Sequence, residues 1–404
     1  MIERPFNVSF SYPLHFTEGV LEVSNTCLRD AIAGRADYVP AKVAFVVDHG
    51  LLAGHPDLRE QVQAYCRAHE DVLRLMAPVL ELPGGERIKN EWRYVLEVLR
   101  TIQDALLCRH SYVVAIGGGA LLDVVGFAAA IAHRGVRLIR VPTTVLAQDD
   151  SAVGVKNGIN AFDKKNYLGA FAPPFAVIND ARFLTTLSDR DWRTGISEAI
   201  KVALIRDAAF FEFIEANAER LRQRDLSAMR QLVRRSAELH YAHITTNGDP
   251  FELGSSRPLD FGHWAAHKLE QVSDYQLRHG EAVAIGIALD TTYALRTGAL
   301  AEADWRRVIE TLQAVGLPIY TPELSQHLDN DADSRNVLRG LLEFQEHLGG
   351  RLTVMLLETI GRAFDVHEIR RDVMIESIQL LQAIAAGKGQ KDDAPGDAHD
   401  RSAR

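Results

Sequence analysis

Cysteine is scarce in this chain: three in 404 residues, Cys27, Cys66 and Cys108, far apart and with no CxxC pair. That excludes a disulfide framework and a thiolate zinc site, and it reads as reduced thiols in a cytoplasmic protein. Blocks of like charge are missing too. Lys and Arg number 45 against 54 Asp and Glu, a net charge of −9, which argues against a nucleic-acid partner. No apolar run approaches the roughly 20 residues of a membrane span. The opening MIERPFNVSFSYPLHF lacks the basic and apolar regions of a signal peptide. Internal repeats are absent. What is present, 47% hydrophobic and 25% charged residues, is the composition of a soluble globular enzyme long enough for two domains.

The richest stretch runs from Ala115 to Lys201. Its glycines Gly117, Gly118 and Gly119 follow the apolar run Tyr112–Ile116 and precede a small-residue helix, Leu121 to Ala132. Glycines at a strand-to-helix turn let backbone N–H groups approach a phosphate with no Cβ in the way. The spacing is not GxGxxG, so this is no ordinary dinucleotide fingerprint. Upstream, NVSFSYPLHF predicts an edge strand broken by Pro13, and KVAFVVDHG a buried strand ending at Asp48, where dinucleotide folds often hold a ribose. A helix over Asp57–Glu70, a strand in VLELPGGERIKN and a helix over Glu91–Leu107 follow, with Glu86 and Lys89 on one helical face. Alternating strands and helices predict a mostly parallel sheet covered on both faces. VRLIRVPTT adds a strand that places Thr143 and Thr144 at its C-terminal end, the ligand edge of such sheets.

Beyond Asn179-Asp180 the period becomes helical, which sets a domain boundary near 181. One late strand, LTVMLLETIG (Leu352 to Gly361), stands among helices, and the polar tail 386–404 reads as disordered. Glu198 at a helix start, His263 and His267 four apart in FGHWAAHKLE, and His279 before another helix offer a Glu plus two or three His, a set suited to Zn²⁺. Arg134, Lys156, Lys165 and Asn166 lie in Gly-rich loops at the strand ends, a pattern that suits a phosphate-bearing substrate.

Together PGGERIK, GGGALLDVVGFAAA, HRGVRLIRVPTTVLAQDDSAVGVKNGIN, KKNYLGAF, ISEAIK, GHWAAH and HGEAVAIG, in that order over roughly residues 40–365, resemble the sugar phosphate cyclases, the family of 3-dehydroquinate synthase. The resemblance implies an NAD-binding α/β domain over 1–181, a mainly helical metal- and substrate-binding domain over 182–385, a cleft between them and a homodimer. It implies Zn²⁺, replaceable by Co²⁺, on Glu198, His263 and His279, and NAD contacts from Asp48, Glu86, Lys89, Gly118, Gly119, Asp123, Thr143 and Thr144, with Gly117 in the same turn. Arg134, from a second subunit, with Lys156, Asn166 and His267 would surround the substrate phosphate; Asp150, Lys165 and Lys201 would line the ring-forming site. The implied reaction is transient oxidation, phosphate elimination, reduction, ring opening and intramolecular aldol addition, with no net redox change.

Departures from the quinate-type pattern bear on the substrate. Where those enzymes clamp a carboxylate with a lysine and an arginine, this chain has His240 and Ser256, with Arg257 one position on; Asp260 replaces an asparagine. The EFQEHLGG segment, with His347, replaces a late lysine pair. RPLDFGH and EFQEHLGG resemble the branch that cyclises sedoheptulose 7-phosphate, which implies a C7 cyclitol product, 2-epi-valiolone by overall resemblance. His240, Arg257, Asp260 and His347 are therefore substrate-site candidates. The alternatives are 3-dehydroquinate synthase, a 2-epi-5-epi-valiolone or 2-deoxy-scyllo-inosose type cyclase, a metal-dependent polyol dehydrogenase, and an inactive metabolite-binding scaffold.

Overall fold

The computed structural model describes residues 1, 3–4, 7–162, 164–246, 250–251, 258–347 and 350–392, with the side chains of 258, 347 and 388–392 left out. By its contacts the chain divides later than residue 181, and not at a single point. One compact unit is Met1–Val202 with Glu219–Leu253; the other is Ala203–Ala218 with Gly254–Arg404.

In the first unit, apolar runs form the strands, and the central ones, Ala41–Asp48, Tyr112–Gly117 and Arg137–Pro142, are rich in Val and Ile and buried on both faces. The strands are β1 (Leu14–Thr17), β2 (Ala41–Asp48), β3 (Leu73–Leu75), β4 (Leu80–Leu82), β5 (Tyr112–Gly117) and β6 (Arg137–Pro142). After the antiparallel hairpin β7 (Lys156–Ala161) and β8 (Lys164–Phe171) comes β9 (Ala176–Asp180). The seven-stranded sheet has the order β1-β9-β6-β5-β2-β3, with β4 also paired to β2, and its pairings are parallel. The register Val46↔Ala115↔Arg140 brings the strand ends level.

Period-two alternation sends Ala44, Val46, Val113 and Ala115 to one face and Val43, Phe45, Val47, Val114 and Ile116 to the other. Helices α1 (Cys27–Ala33) and α2 (Leu58–Ala68) cover the second face; α3 (Trp92–Asp104) and α4 (Gly119–Ile131) cover the first. Helix α4 is apolar on nearly every side, as a helix enclosed on all sides must be. Gly126 within it makes room for the Asn157 side chain, onto which a Cβ would fall. Glu86 and Lys89 sit on a separate 3-10 turn, Glu86–Asn90, and not on α3 itself.

Further along come α5 (Asp189–Thr194), α6 (Ile196–Arg206), α7 (Ala208–Ala216), α8 (Ala218–Arg222) and α9 (Leu226–Thr246). Helix α9 belongs with the first unit because Ser236, His240 and Tyr241 bond to its loops.

The second unit is built round α11 (His279–Arg296), buried at Gly280 and from Ala282 to Ala294. Packed on it are α10 (His263–Val272), α12 (Glu302–Ala314) and α14 (Arg371–Asp392), with α13 (Arg339–His347) against α10. The late strand finds its partner immediately after it: β10 (Val354–Thr359) turns back on β11 (Arg362–Val366). Of the tail expected to be disordered, residues 386–392 end α14 and 393–404 lie outside the described residues. Among the described residues no helix is long and apolar enough to cross a membrane.

Candidate active site

The C-terminal ends of β2, β4, β5 and β6 converge as the parallel register requires. Asp48 closes β2 and accepts from the Gly50 N–H at 2.8 Å; its carboxylate lies directly over Gly84, where a Cβ would fall on it. Burial raises the Asp48 carboxyl above its usual range, against the Gly50 N–H and His49. Two of the three glycines at the end of β5 stand where a Cβ would meet a neighbouring side chain. A Cβ on Gly117 would lie 2.6 Å from Leu121, and one on Gly119 would lie 2.6 Å from Ser151 Oγ. Gly118 is different: its nearest neighbour would be Thr144 Cγ2 at 3.4 Å, an ordinary contact. No packing demand explains Gly118, so its missing side chain fits a ligand pressed against the N-terminus of α4. Thr144 Oγ1 accepts from the Ala147 N–H at 3.2 Å, and the Thr143 N–H bonds to the Gly117 carbonyl at 3.1 Å.

Lys89 is buried, donating to Asp123 Oδ2 at 2.7 Å and to Asn166, with Glu86 at 3.6 Å. Burial opposes its charge, but Asp123 and Glu86 outweigh burial and raise its pKa. Four sequence candidates thus form one network.

Two further residues organise this edge and were not among the sequence candidates. Arg140, buried in β6, donates to the carbonyls of Ala152 (3.0 Å), Gly154 (2.6 Å) and Lys156 (3.0 Å) and to Asn157 Oδ1 (2.6 Å). It shapes the loop between Asp150 and the start of β7, where Lys156 lies exposed. Asp149 is fully buried in the π-helical turn Ala147–Ser151, and neither carboxyl oxygen meets a hydrogen-bond partner among the described residues. Burial first, then Asp150 and Glu198, hold it well above the usual carboxylate range despite Lys201, favouring the neutral acid. The sequence signals were faint: an arginine inside an apolar strand and a doubled aspartate.

The neighbouring Asp150 faces His240, with Oδ1 2.7 Å from Nδ1. Glu198 and Lys201, one turn apart on α6, form a buried ion pair. Arg134 stands exposed at a sharp corner where His133, Arg134 and Gly135 have φ of 50°, 63° and 122°. Lys165 lies in β8.

The second unit supplies the imidazoles. His263 opens α10 and His267 follows one turn on, their ring centres 5.4 Å apart; the His279 ring lies 5.5 Å from the first and 6.1 Å from the second. His263 Nδ1 is 3.2 Å from the Phe261 carbonyl and His279 Nδ1 is 3.1 Å from the buried Glu270 carboxylate. Each acceptor keeps the proton on Nδ1 and leaves Nε2 as the ring's lone-pair atom, as metal-binding histidines require. Within the second unit His263 and His279 form an oriented imidazole pair, and Glu198 is a buried carboxylate of the first. A carboxylate and two oriented imidazoles, largely buried, fit a divalent ion. Asp260 ends the 3-10 turn before α10. Ser256 and Arg257 lie outside the described residues, as does the side chain of His347 at the end of α13.

A glycine turn at the end of a parallel strand and a Glu–His–His donor set are the features of an α/β protein that takes a nucleotide and a metal. Residues 79–194 match the 3-dehydroquinate synthase N-terminal family and residues 195–334 the 3-dehydroquinate synthase C-terminal family. The chain belongs to the 3-dehydroquinate synthase family. It is 37% identical over 358 residues to the 3-dehydroquinate synthase of Paracoccus denitrificans, covering 88% of this chain and 92% of that one. Its fold is similar to the 2-epi-5-epi-valiolone synthase of Streptomyces hygroscopicus solved with NAD+ and Zn²⁺ bound: TM-score 0.83, 27% identity, 95% of this chain and 100% of that one. At 23% identity a 2-deoxy-scyllo-inosose synthase complexed with carbaglucose-6-phosphate, NAD+ and Co²⁺ shares the fold, with a TM-score of 0.71 over 91% of this chain and 96% of that one.

Proposed function

We propose that the chain is a sugar phosphate cyclase, a carbon–oxygen lyase that takes sedoheptulose 7-phosphate to a C7 cyclitol of the 2-epi-valiolone type with loss of phosphate. Asp48, Gly118 and the Lys89–Asp123 network would hold NAD+, and Glu198, His263 and His279 would hold Zn²⁺. When bound, these supply a recyclable hydride acceptor and a Lewis acid. The chain's own residues bind and orient. Lys156, Asn166 and His267, with Arg134 from a second copy in a homodimer, would surround the phosphate, and Asp150, Lys165 and Lys201 would line the ring-forming site.

One observation carries the choice of substrate. Position 240, a lysine in quinate-type members, holds an imidazole turned onto Asp150. With Ser256 at the arginine position, nothing at either position matches the clamp on a substrate carboxylate, and Asp260 adds negative charge. A desolvated, unpaired carboxylate costs several kcal/mol. Losing both cations disfavours it by roughly 3–5 kcal/mol, or two to four decades of rate. A second reading, 3-dehydroquinate synthase, is favoured by the names of relatives 37% and 38% identical over most of the chain.

The test is competition, in the presence of NAD+ and Zn²⁺, between equal concentrations of sedoheptulose 7-phosphate and the heptulosonate phosphate of the shikimate pathway. The expected result is faster phosphate release from sedoheptulose 7-phosphate with no net NADH. Faster turnover of the heptulosonate would establish the second reading, and stoichiometric NADH a polyol dehydrogenase. Glu198→Ala should lose both metal and turnover.

A further inference from the structure

The loop from Ala147 to Lys156 carries Asp150, and helix α9 grips it from outside the sheet. Ser236 Oγ reaches the Asp149 carbonyl at 3.4 Å, and His240, four residues on and so on the same helical face, meets Asp150 at 2.7 Å. Tyr241 donates to the Tyr12 carbonyl at 2.7 Å, and the Tyr12 hydroxyl donates to the Val153 carbonyl at 2.7 Å. From the sheet side Arg140 holds the carbonyls of Ala152, Gly154 and Lys156. Gly154 in this loop carries no side chain, and a Cβ there would stand 3.8 Å from His240 Nε2. The loop backbone is thus held from both sides, and His240 reaches past it to a side chain.

We propose that His240 is a positioning residue: its Nδ1–H fixes the Asp150 carboxylate for the substrate, and it does not itself bind the substrate. This rests on the placement of Asp150 in the substrate site. A carboxylate can turn about its last side-chain bond, and a misplacement of about 1 Å at a reacting group can lower rate about a hundredfold. Nδ1 is committed to the Asp150 carboxylate, the polar partner that the structure gives the ring. Position 240 therefore acts on the substrate through Asp150, and a change there should alter kcat more than KM.

The experiment is a double-mutant cycle on the full chain with NAD+ and Zn²⁺, using whichever sugar phosphate the wild type turns over faster. His240→Leu should lower kcat about 10–100-fold with KM changed less than about threefold. His240→Asn, whose amide nitrogen occupies the place of Nδ1, should recover most of that loss, and His240→Gln should not. Asp150→Asn combined with His240→Leu should be no slower than Asp150→Asn alone. A rise in KM with kcat kept, losses that multiply in the double variant, or equal rates for the Asn and Gln variants would overturn the assignment. If the Leu variant does not fold, the Asn–Gln comparison decides alone. Because the cycle uses the preferred substrate, it stands whichever sugar phosphate wins the competition; if Asp150→Asn leaves kcat unchanged, the placement of Asp150 itself fails.

Discussion

The Asp290 carboxylate, fully buried midway along α11, accepts a 2.8 Å hydrogen bond from the indole N–H of Trp264, the residue after His263. Its other oxygen accepts from the Gly262 N–H at 3.1 Å, so one acid on α11 brackets His263 from both sides. The helix that begins with one imidazole ligand candidate thereby fixes the other.

This acid should give stability a pH slope of known sign. Burial pushes the Asp290 pKa up to about 7, overcoming the Trp264 and Gly262 donors, whereas the unfolded chain titrates at the ordinary 3.8. Between those values the folded protein keeps a proton that the unfolded chain has released. Stability should therefore fall as pH rises through this window and level off above about 7. Urea midpoints at pH 5 and pH 8 measure the slope. Asp290→Asn should be less stable throughout by about 1–3 kcal/mol, from an unsatisfied donor, and should lose this part of the slope.

Glu270 should tune metal affinity without touching the metal. It holds His279 by Nδ1, so Glu270→Ala should weaken Zn²⁺ binding about 10–100-fold. Competition with a chelator reads this directly, and an unchanged affinity would remove Glu270 from the metal site.

The glycines make a contrasting pair. A Cβ on Gly286 would fall on the Gly262 carbonyl, so Gly286→Ala should destabilise by about 1–3 kcal/mol or more. Gly118→Ala meets only the ordinary contact with Thr144, and should change stability by less than about 0.5 kcal/mol while weakening NAD+ about tenfold or more. Thermal melts and equilibrium titration with NAD+ separate the two effects.

Lys89→Met should be costly even without ligand. It leaves Asp123 and Glu86 facing each other with no cation between them, a loss of about 3–5 kcal/mol in urea unfolding. Adding Asp123→Asn should recover part of it, since the uncompensated charge is then removed.

Much of this molecule is decided by neighbours in sequence. The runs of Val and Ile in KVAFVVD, YVVAIG and VRLIRVP form strands because such chains suit a pleated, two-sided core, and the intervening helices make their pairing parallel. His263 and His267 share a helix face because 3.6 residues make a turn, and Gly117 and Gly119 mark a strand-to-helix corner where a Cβ would meet a neighbouring side chain. The family resemblance, too, is carried by local motifs in order. Other features exist only once distant segments meet. His240 finds Asp150 ninety positions away, Asp290 finds Trp264 and Gly262 from the next helix, and Arg140 meets the carbonyls of a loop whose path no local rule fixes. Asp149 is an ordinary acid in sequence; desolvation by the packed interior, with Asp150 and Glu198 nearby, is what turns it toward its neutral form. Periodicity and turn chemistry act over a few residues, whereas burial, close approach and hydrogen-bond partnership belong to the packed chain.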